Sequence, residues 1–181
     1  MKKILLSAAV MVGLGMAASV AAAADGTITF TGQISNVTCT IDGNGTGATD
    51  FTVTLPEVQA SALANAGTFT GSTPYNITVG APGQAGCTNG TPVSIAYEAA
   101  SPDIDATTGN LMNTGAATGV QIQLLNGDRS VINLATNPVS KQVTIANNTA
   151  VLPFFAQYIA DGGAVVGGTV QSAVEYSVSY N

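Results

Sequence analysis

Few residues of this 181-residue chain could carry out chemistry. It contains no histidine and four lysines and arginines in total, whereas catalysis near neutral pH usually draws on histidine, a perturbed lysine, carboxylates or a metal. Asp103 and Asp105 form a possible carboxylate pair, but they open a segment rich in Thr, Gly and Asn, residues 103–119, which we predict to be a solvated surface loop. The serines lack a Gly-x-Ser-x-Gly motif. We therefore expect no enzymatic activity and no catalytic residue.

One segment resembles the start of a calcium-binding loop. From Asp42 to Asp50, residues with side-chain oxygens alternate with glycines, and Gly47 is the sixth residue. The twelfth residue is Val53, where a calcium loop needs a bidentate glutamate. We interpret the segment as a glycine-rich turn between strands, and expect neither a metal site nor another cofactor.

Residues 1–24 have the pattern of a signal peptide. Lys2 and Lys3 precede an apolar run that begins at residues 4–12 and passes into an alanine tract, and cleavage after Ala24 satisfies the rule for small residues. A membrane anchor is the alternative, but the apolar run is short and contains glycines. We predict that the peptide is removed and that the chain is exported.

The exported chain has the size of one domain and a strongly acidic composition. Removing residues 1–24 leaves Arg129 and Lys141 as the basic residues against ten aspartates and glutamates. Nucleic acid and anionic membrane surfaces are therefore poor candidate partners. The remaining length suits one domain with a substantial core and is too short for two.

Cys39 and Cys87 are the two cysteines of the chain. Because exported proteins enter an oxidising compartment, we predict a disulfide between them. A reactive thiol or a metal-binding pair is the alternative, but the chain has no histidine to assist either.

The rest of the sequence predicts an all-β fold. Short runs of alternating apolar and polar residues lie between turns of Gly, Asn, Thr and Pro, and no run keeps a helical period over ten residues. The predicted strands cover residues 51–55, 75–79, 93–97, 120–124, 131–134, 143–145, 151–159 and 169–180. Asn126-Gly127 predicts a hairpin, and residues 60–66 a helical turn. This spacing is typical of an immunoglobulin-like or related Greek-key sandwich.

Well-patterned strands occur at both ends of the exported chain. Alternate residues share one face of a strand. At the amino end the apolar face has a gap at its glycine, and its residues are Ile28, Phe30, Gly32 and Ile34. At the carboxyl end the apolar residues are Val174, Tyr176, Val178 and Tyr180. Such terminal strands suggest a protein that pairs strands, within one molecule or between molecules.

These features together resemble the structural pilins of chaperone-usher fimbriae, the type 1 fimbrial major-subunit family. The resemblance spans the whole exported chain and rests on the signal peptide, the strand containing Gly32, the two cysteines, the run 152–158 and the ending 176–181. The family pattern also places a glycine fourteenth from the end and an aromatic residue next to last, and Gly168 and Tyr180 fit those positions.

The resemblance implies an incomplete immunoglobulin-like Greek-key sandwich that is completed by a donor strand from another subunit. Residues 25–37 would be the donor-strand extension, inserting Ile28, Phe30 and Ile34, with Gly32 over a shallow part of the groove. Residues 38–181 would be the pilin domain. Its C-terminal strand would border the groove and bind the chaperone through Gly168, Val170, Val174, Tyr176, Val178 and Tyr180.

The resemblance also implies the partners and location of the chain. The expected partners are neighbouring copies or related pilins, a periplasmic chaperone and an outer-membrane usher, with no nucleic acid and no small-molecule substrate. The expected route leads through the periplasm to a fimbria on the cell surface that supports adhesion. The alternatives are a minor or tip-associated pilus subunit, and a secreted β-sandwich that completes its own fold and acts as a binding module.

Overall fold

A computed structural model describes Thr29 and residues 37–181. The predicted signal peptide, residues 1–24, lies outside these described residues. The predicted donor residues Ile28, Phe30, Gly32 and Ile34 lie outside them as well.

The described residues form eight β-strands and one short 3₁₀-helix. The strands are β1 (Ile41–Gly43), β2 (Phe69–Gly80), β3 (Pro92–Tyr97), β4 (Leu111–Met112), β5 (Val120–Asn126), β6 (Val143–Thr144), β7 (Thr149–Ala160) and β8 (Tyr176–Tyr180), and the helix is Ala60–Leu63. Five strands form the larger sheet in the order β1-β2-β7-β5-β4, and three form the smaller sheet in the order β6-β3-β8. All the pairings are antiparallel. The all-β sandwich predicted from the sequence is confirmed.

The antiparallel pair β2–β7 is the longest of these pairings. It runs from Phe69 opposite Ile159 to Gly80 opposite Thr149 and is interrupted between Thr70 and Thr73. Gly71 lies in this bulge with φ 69°, a conformation that favours glycine.

The core lies between the two sheets and follows the alternation of the sequence. The buried residues of the larger sheet include Ile77, Val79, Leu152 and Phe154, and those of the smaller sheet include Val93, Ile95 and Tyr97. A second cluster, formed by Leu63, Ala117, Val120, Tyr158 and Ala160, lies under the 3₁₀-helix. Each large side chain that is buried stabilises the fold by about 1.5–3 kcal/mol.

The predicted disulfide between Cys39 and Cys87 is confirmed, with 4.7 Å between the two Cα atoms. It joins the segment before β1 to the loop between β2 and β3, and Cys87 is fully buried in the core. Its cysteines are 48 residues apart in sequence. A loop of that length corresponds to about 4 kcal/mol of stabilisation in the chain-entropy description.

Two segments predicted as strands, residues 51–55 and 169–175, do not pair in either sheet. Residues 51–55 are not part of any strand, although their side chains alternate between half-buried and exposed. Residues 169–175 are also outside the ladder, so the last strand begins at Tyr176 rather than Thr169. The chain just before it pairs elsewhere: Thr114 N–H donates to Gln171 O and Ala117 N–H donates to Thr169 O.

The hairpin predicted at Asn126-Gly127 is confirmed. Its loop has three residues and places Arg129 at φ 65°. Asn126 N–H donates to Ser130 O and Arg129 N–H donates to Asn126 O, which defines the loop. The predicted return strand 131–134 is reduced to one bridge between Leu125 and Val131.

The predicted surface loop 103–119 contains more structure than expected. It includes β4, and Ile104 forms a bridge with Leu111. Asp105 accepts hydrogen bonds from Thr107 N–H, Thr108 N–H and Gln121 Nε2. These bonds, that from Thr107 first, lower the pKa of the Asp105 carboxyl. Asp105 therefore organises this loop, whereas the Asp103 carboxylate accepts a hydrogen bond from Ala173 N–H, outside it.

Gly168 permits a close approach between two backbone segments. A Cβ atom at this position would lie 2.6 Å from Ala117 N and 2.7 Å from Ala116 C, both atoms of the main chain. At Gly167 a Cβ atom would meet nothing within 4 Å. Gly168 and Gly167 therefore provide a crowded and an open position at which the effect of an added Cβ atom can be compared.

We predict that Gly168→Ala lowers the free energy of unfolding by about 1–3 kcal/mol, because the backbone of residues 116–117 must move. Gly167→Ala serves as the control and should change it by less than about 0.5 kcal/mol. Urea unfolding of both purified variants measures the difference. Equal stability of the two variants would show that the close approach at Gly168 is unimportant.

Candidate functional site

An open groove lies between a segment that lacks strand partners and the start of the C-terminal strand. Residues 49–55 form one wall, and residues 172–176, at the start of the C-terminal strand, form the other. The groove has a volume of about 940 Å³. Its floor is the hydrophobic core, which is reached between the two sheets.

The first wall has the geometry of a strand without a neighbour. Phe51, Val53 and Leu55 are half-buried and line the groove, while Thr52 and Thr54 are exposed. Within the described residues, the backbone groups of residues 51–55 make no hydrogen bond. An extended segment with free backbone groups can accept a further strand.

The second wall is paired along one edge. β8 pairs with β3 from Tyr176 opposite Tyr97 to Tyr180 opposite Val93. Just before β8, Glu175 O accepts a hydrogen bond from Glu98 N–H, so the backbone groups of Glu175 point toward β3. Because successive residues of a strand point these groups to opposite edges, those of Val174 and Tyr176 point toward the groove.

The predicted residues of the C-terminal strand fall into three groups. Val174 and Tyr176 line the groove. Val178 and Tyr180 pack against the main core. Val170 packs against the second cluster, and Gly168 lies against residues 116–117. The inward direction of alternate residues from Val170 to Tyr180 agrees with the sequence pattern.

Aromatic rings form one end of the groove floor. The Tyr75 ring stacks on Phe154 at 5.3 Å between centroids, and the Tyr97 ring meets Phe154 edge-on at 6.3 Å. The hydroxyls of Tyr75 and Tyr97 share a hydrogen bond of 3.2 Å. This contact satisfies polar atoms that would otherwise be costly to bury.

Burial keeps these two hydroxyls in the neutral form. It raises the pKa of Tyr75 to about 12 and the pKa of Tyr97 well above its usual value. The floor of the groove therefore carries no charge across the physiological pH range, which suits an apolar occupant.

Tyr176 connects the two walls at the same end of the groove. Its hydroxyl donates a hydrogen bond of 2.7 Å to Thr49 O, and its ring lies 6.2 Å from the ring of Phe51. Burial, followed by the charges of Asp50 and Asp42, raises the pKa of Tyr176. This contact holds the walls at a fixed separation.

The arrangement can bind an extended chain. Apolar side chains line its interior and free backbone groups line its two edges, as strand addition requires. The described residues contain no group of three or more metal-ligating side chains. They also contain no helix long and apolar enough to cross a membrane.

Comparisons with known proteins give a consistent result. A profile of the FimA family, described as Type-1 fimbrial protein, A, matches residues 55–181. The major fimbrial subunit SMF-1 of Stenotrophomonas maltophilia is 38% identical over 93% of this chain and 99% of its own length. The F17 fimbrial protein of Escherichia coli is 39% identical over 94% of this chain and 96% of its own length.

Solved structures show the same fold. A Burkholderia pseudomallei antigen and type I fimbria protein is 28% identical, with a TM-score of 0.53 over 86% of this chain and 97% of that chain. The P pilus rod subunit PapA is 19% identical, with a TM-score of 0.58 over 79% of this chain and 99% of that chain. At 19% identity, the likeness to PapA shows the fold alone.

We predict that Tyr75→Phe reduces the loss of stability in alkaline solution. The folded pKa of Tyr75 is raised, so its contribution is complete below about pH 10 and is lost as the pH rises towards about 12. Removing the hydroxyl should make this decline shallower by at most about 1.4 kcal/mol per pH unit. Urea unfolding at successive pH values measures the slope, and the half-buried Tyr180→Phe should change it less. An unchanged slope in Tyr75→Phe would contradict the assignment.

Proposed function

The chain belongs to the FimA type-1 fimbrial protein family and is a structural subunit of a fimbria, and we propose that it polymerises by donor-strand exchange. In this mechanism residues 25–37 of one subunit occupy the groove of the next. The resulting surface fibre supports adhesion, and the family role is structural rather than enzymatic.

The observation that carries the proposal is the groove with two free strand edges. Residues 51–55 and the outer edge of β8 both present backbone groups to the same space. A strand inserted there would form hydrogen bonds on both sides and close the sandwich. One added strand therefore satisfies both edges and covers the core.

The composition of the proposed donor strand fits the groove. Ile28, Phe30 and Ile34 are large and apolar and share one strand face. Burying them at about 1.5–3 kcal/mol each gives roughly 5–9 kcal/mol before the entropy of ordering is subtracted. A slip of one residue would turn Thr29, Thr31 and Gln33 inward, so the apolar lining favours one register.

Donor-strand exchange implies a protected state before assembly. A subunit with an open groove exposes apolar core and unpaired edges, which favour aggregation. We propose that a periplasmic chaperone covers the groove. At an outer-membrane usher, the next subunit would then replace the chaperone. A signal peptide at residues 1–24 would direct export. A self-complete secreted sandwich would need none of these partners.

Deleting residues 25–37 should abolish polymerisation. The intact chain is expected to give multimers that resist detergent and separate on boiling, because each joint buries apolar side chains in a strand-paired core. Denaturing gels of surface and periplasmic fractions, unboiled and boiled, measure this. A stable monomer in every lane, with or without the deletion, would mean that the domain completes itself and that donor-strand exchange is wrong.

Replacing Val53 with aspartate should prevent the joint from forming, because it places a charge on the apolar lining of the groove. Thr54→Asp is the matched control, since Thr54 adjoins Val53 and is exposed. The ladder should be lost in Val53→Asp and retained in Thr54→Asp. A normal ladder from Val53→Asp would exclude this groove as the polymerisation site.

A further inference from the structure

Three asparagines of the chain directly precede a glycine: Asn44, Asn89 and Asn126. This dipeptide is chemically labile, because glycine has no Cβ atom to shield its backbone nitrogen from the asparagine side chain. When that nitrogen attacks the asparagine Cγ atom, a cyclic imide forms, the Cγ–Nδ2 bond breaks, and Nδ2 leaves as ammonia with the proton of the glycine amide. Water then opens the ring to aspartate or isoaspartate. The attack needs a free glycine amide and a side chain that can turn toward it, so the fold determines which asparagine reacts.

Asn126 is held in place by its own side-chain hydrogen bonds. Its Nδ2 donates to Ser130 Oγ at 3.0 Å and to Ser130 O at 3.4 Å, and its Oδ1 accepts a hydrogen bond of 2.9 Å from Lys141 N–H. The residue is buried, and a Cβ atom on Gly127 would meet the ring of Pro153. The reaction at Asn126 therefore requires the hairpin loop to open first.

Asn89 is exposed, but both groups that must react are engaged in hydrogen bonds. Its Oδ1 accepts a hydrogen bond of 2.7 Å from Asn148 N–H. The attacking group, Gly90 N–H, donates a hydrogen bond of 2.9 Å to Ile145 O. Both bonds must break before the Gly90 nitrogen can reach the side chain of Asn89, so the fold protects this site as well.

Asn44 has neither form of protection. Asn44 and Gly45 are both exposed, and a Cβ atom at Gly45 would meet nothing within 4 Å. Within the described residues, Gly45 N–H donates no hydrogen bond. The side chain of Asn44 is held by one long contact of 3.4 Å, in which its Oδ1 accepts from Asn76 N–H. That distance lies beyond the usual range for such a bond, so little resists the turning of this side chain.

We propose that the fold selects Asn44 as a site of spontaneous deamidation, with water as the co-reactant. The reaction needs no enzyme and does not depend on donor-strand exchange. An aspartate product adds a negative charge to a turn that already contains Asp42 and Asp50, and an isoaspartate product adds a methylene group to the main chain there. The Phe51 ring lies against Gly43 of the same turn, so the modification alters the segment that leads into the groove wall.

Peptide mapping by mass spectrometry measures the reaction at all three sites in one sample. The exported chain, isolated without denaturation, is incubated in mildly alkaline buffer made with heavy-oxygen water, which labels the carboxylates that form during the incubation. Conversion of Asn44 is expected to be faster than that of Asn89. It should be at least about tenfold faster than that of Asn126, a ratio that corresponds to about 1.4 kcal/mol for opening the buried loop.

A denatured sample provides the reference, because the protection of Asn89 and Asn126 comes from the fold. In urea the rates at the three asparagines should converge. Equal rates at Asn44 and Asn126 in the folded chain would overturn the proposal. A difference that persists unchanged in urea would also overturn it, since the local sequence rather than the fold would then select Asn44.

Two glycine variants test the attack itself. Gly45 and Gly47 lie in the same turn with φ 73° and 75°, and a Cβ atom at either would meet nothing within 4 Å. Alanine therefore imposes a similar backbone strain at both positions. Gly45→Ala is expected to slow the conversion of Asn44 several-fold, because the added methyl group adjoins the attacking nitrogen, whereas Gly47→Ala should leave the rate unchanged. Equal rates in the two variants would contradict attack by the Gly45 nitrogen and overturn the proposal.

Discussion

Backbone groups that leave water need hydrogen-bond partners, and this constraint governs the whole structure. The backbone groups of β2 and β7 pair with each other along most of the two strands, and β5 continues the ladder by pairing with β7. The backbone groups of residues 51–55, and those on the edge of β8 that faces away from β3, have no such partners within the described residues. The unpaired groups lie on both sides of one groove, so a single strand can complete both edges.

The groove needs walls that stay apart, and contacts in its floor and at one end contribute to this. Tyr75, Phe154 and Tyr97 fill the floor with stacked and edge-on rings. Tyr176 reaches across to Thr49 O at one end. A sandwich without these interactions would be free to collapse over its exposed core, because apolar surface favours burial.

The sequence predicts the local elements well and the pairing less well. Alternation placed strands at 75–79, 93–97, 120–124 and 151–159, and the structure has strands there, because burial on one face imposes a period of two. The same alternation occurs at residues 51–55 and 169–175. There alternate side chains are half-buried, although the backbone forms no strand ladder. Which edge stays unpaired depends on distant parts of the chain, so the alternation of Phe51, Val53 and Leu55 predicts a strand but does not predict a groove wall.

The distribution of charge around the groove favours an apolar strand as its occupant. The groove is lined by apolar side chains and backbone edges, so its occupant is selected by side-chain size and register. The carboxylates that line the groove belong to Asp50, Glu98 and Glu175, which are exposed, whereas Tyr75 and Tyr97 on its floor are buried and neutral. An inserted strand therefore meets charge only at solvent-exposed positions and makes its apolar contacts on the uncharged floor. The groove is suited to a durable joint because apolar burial and backbone pairing act together there.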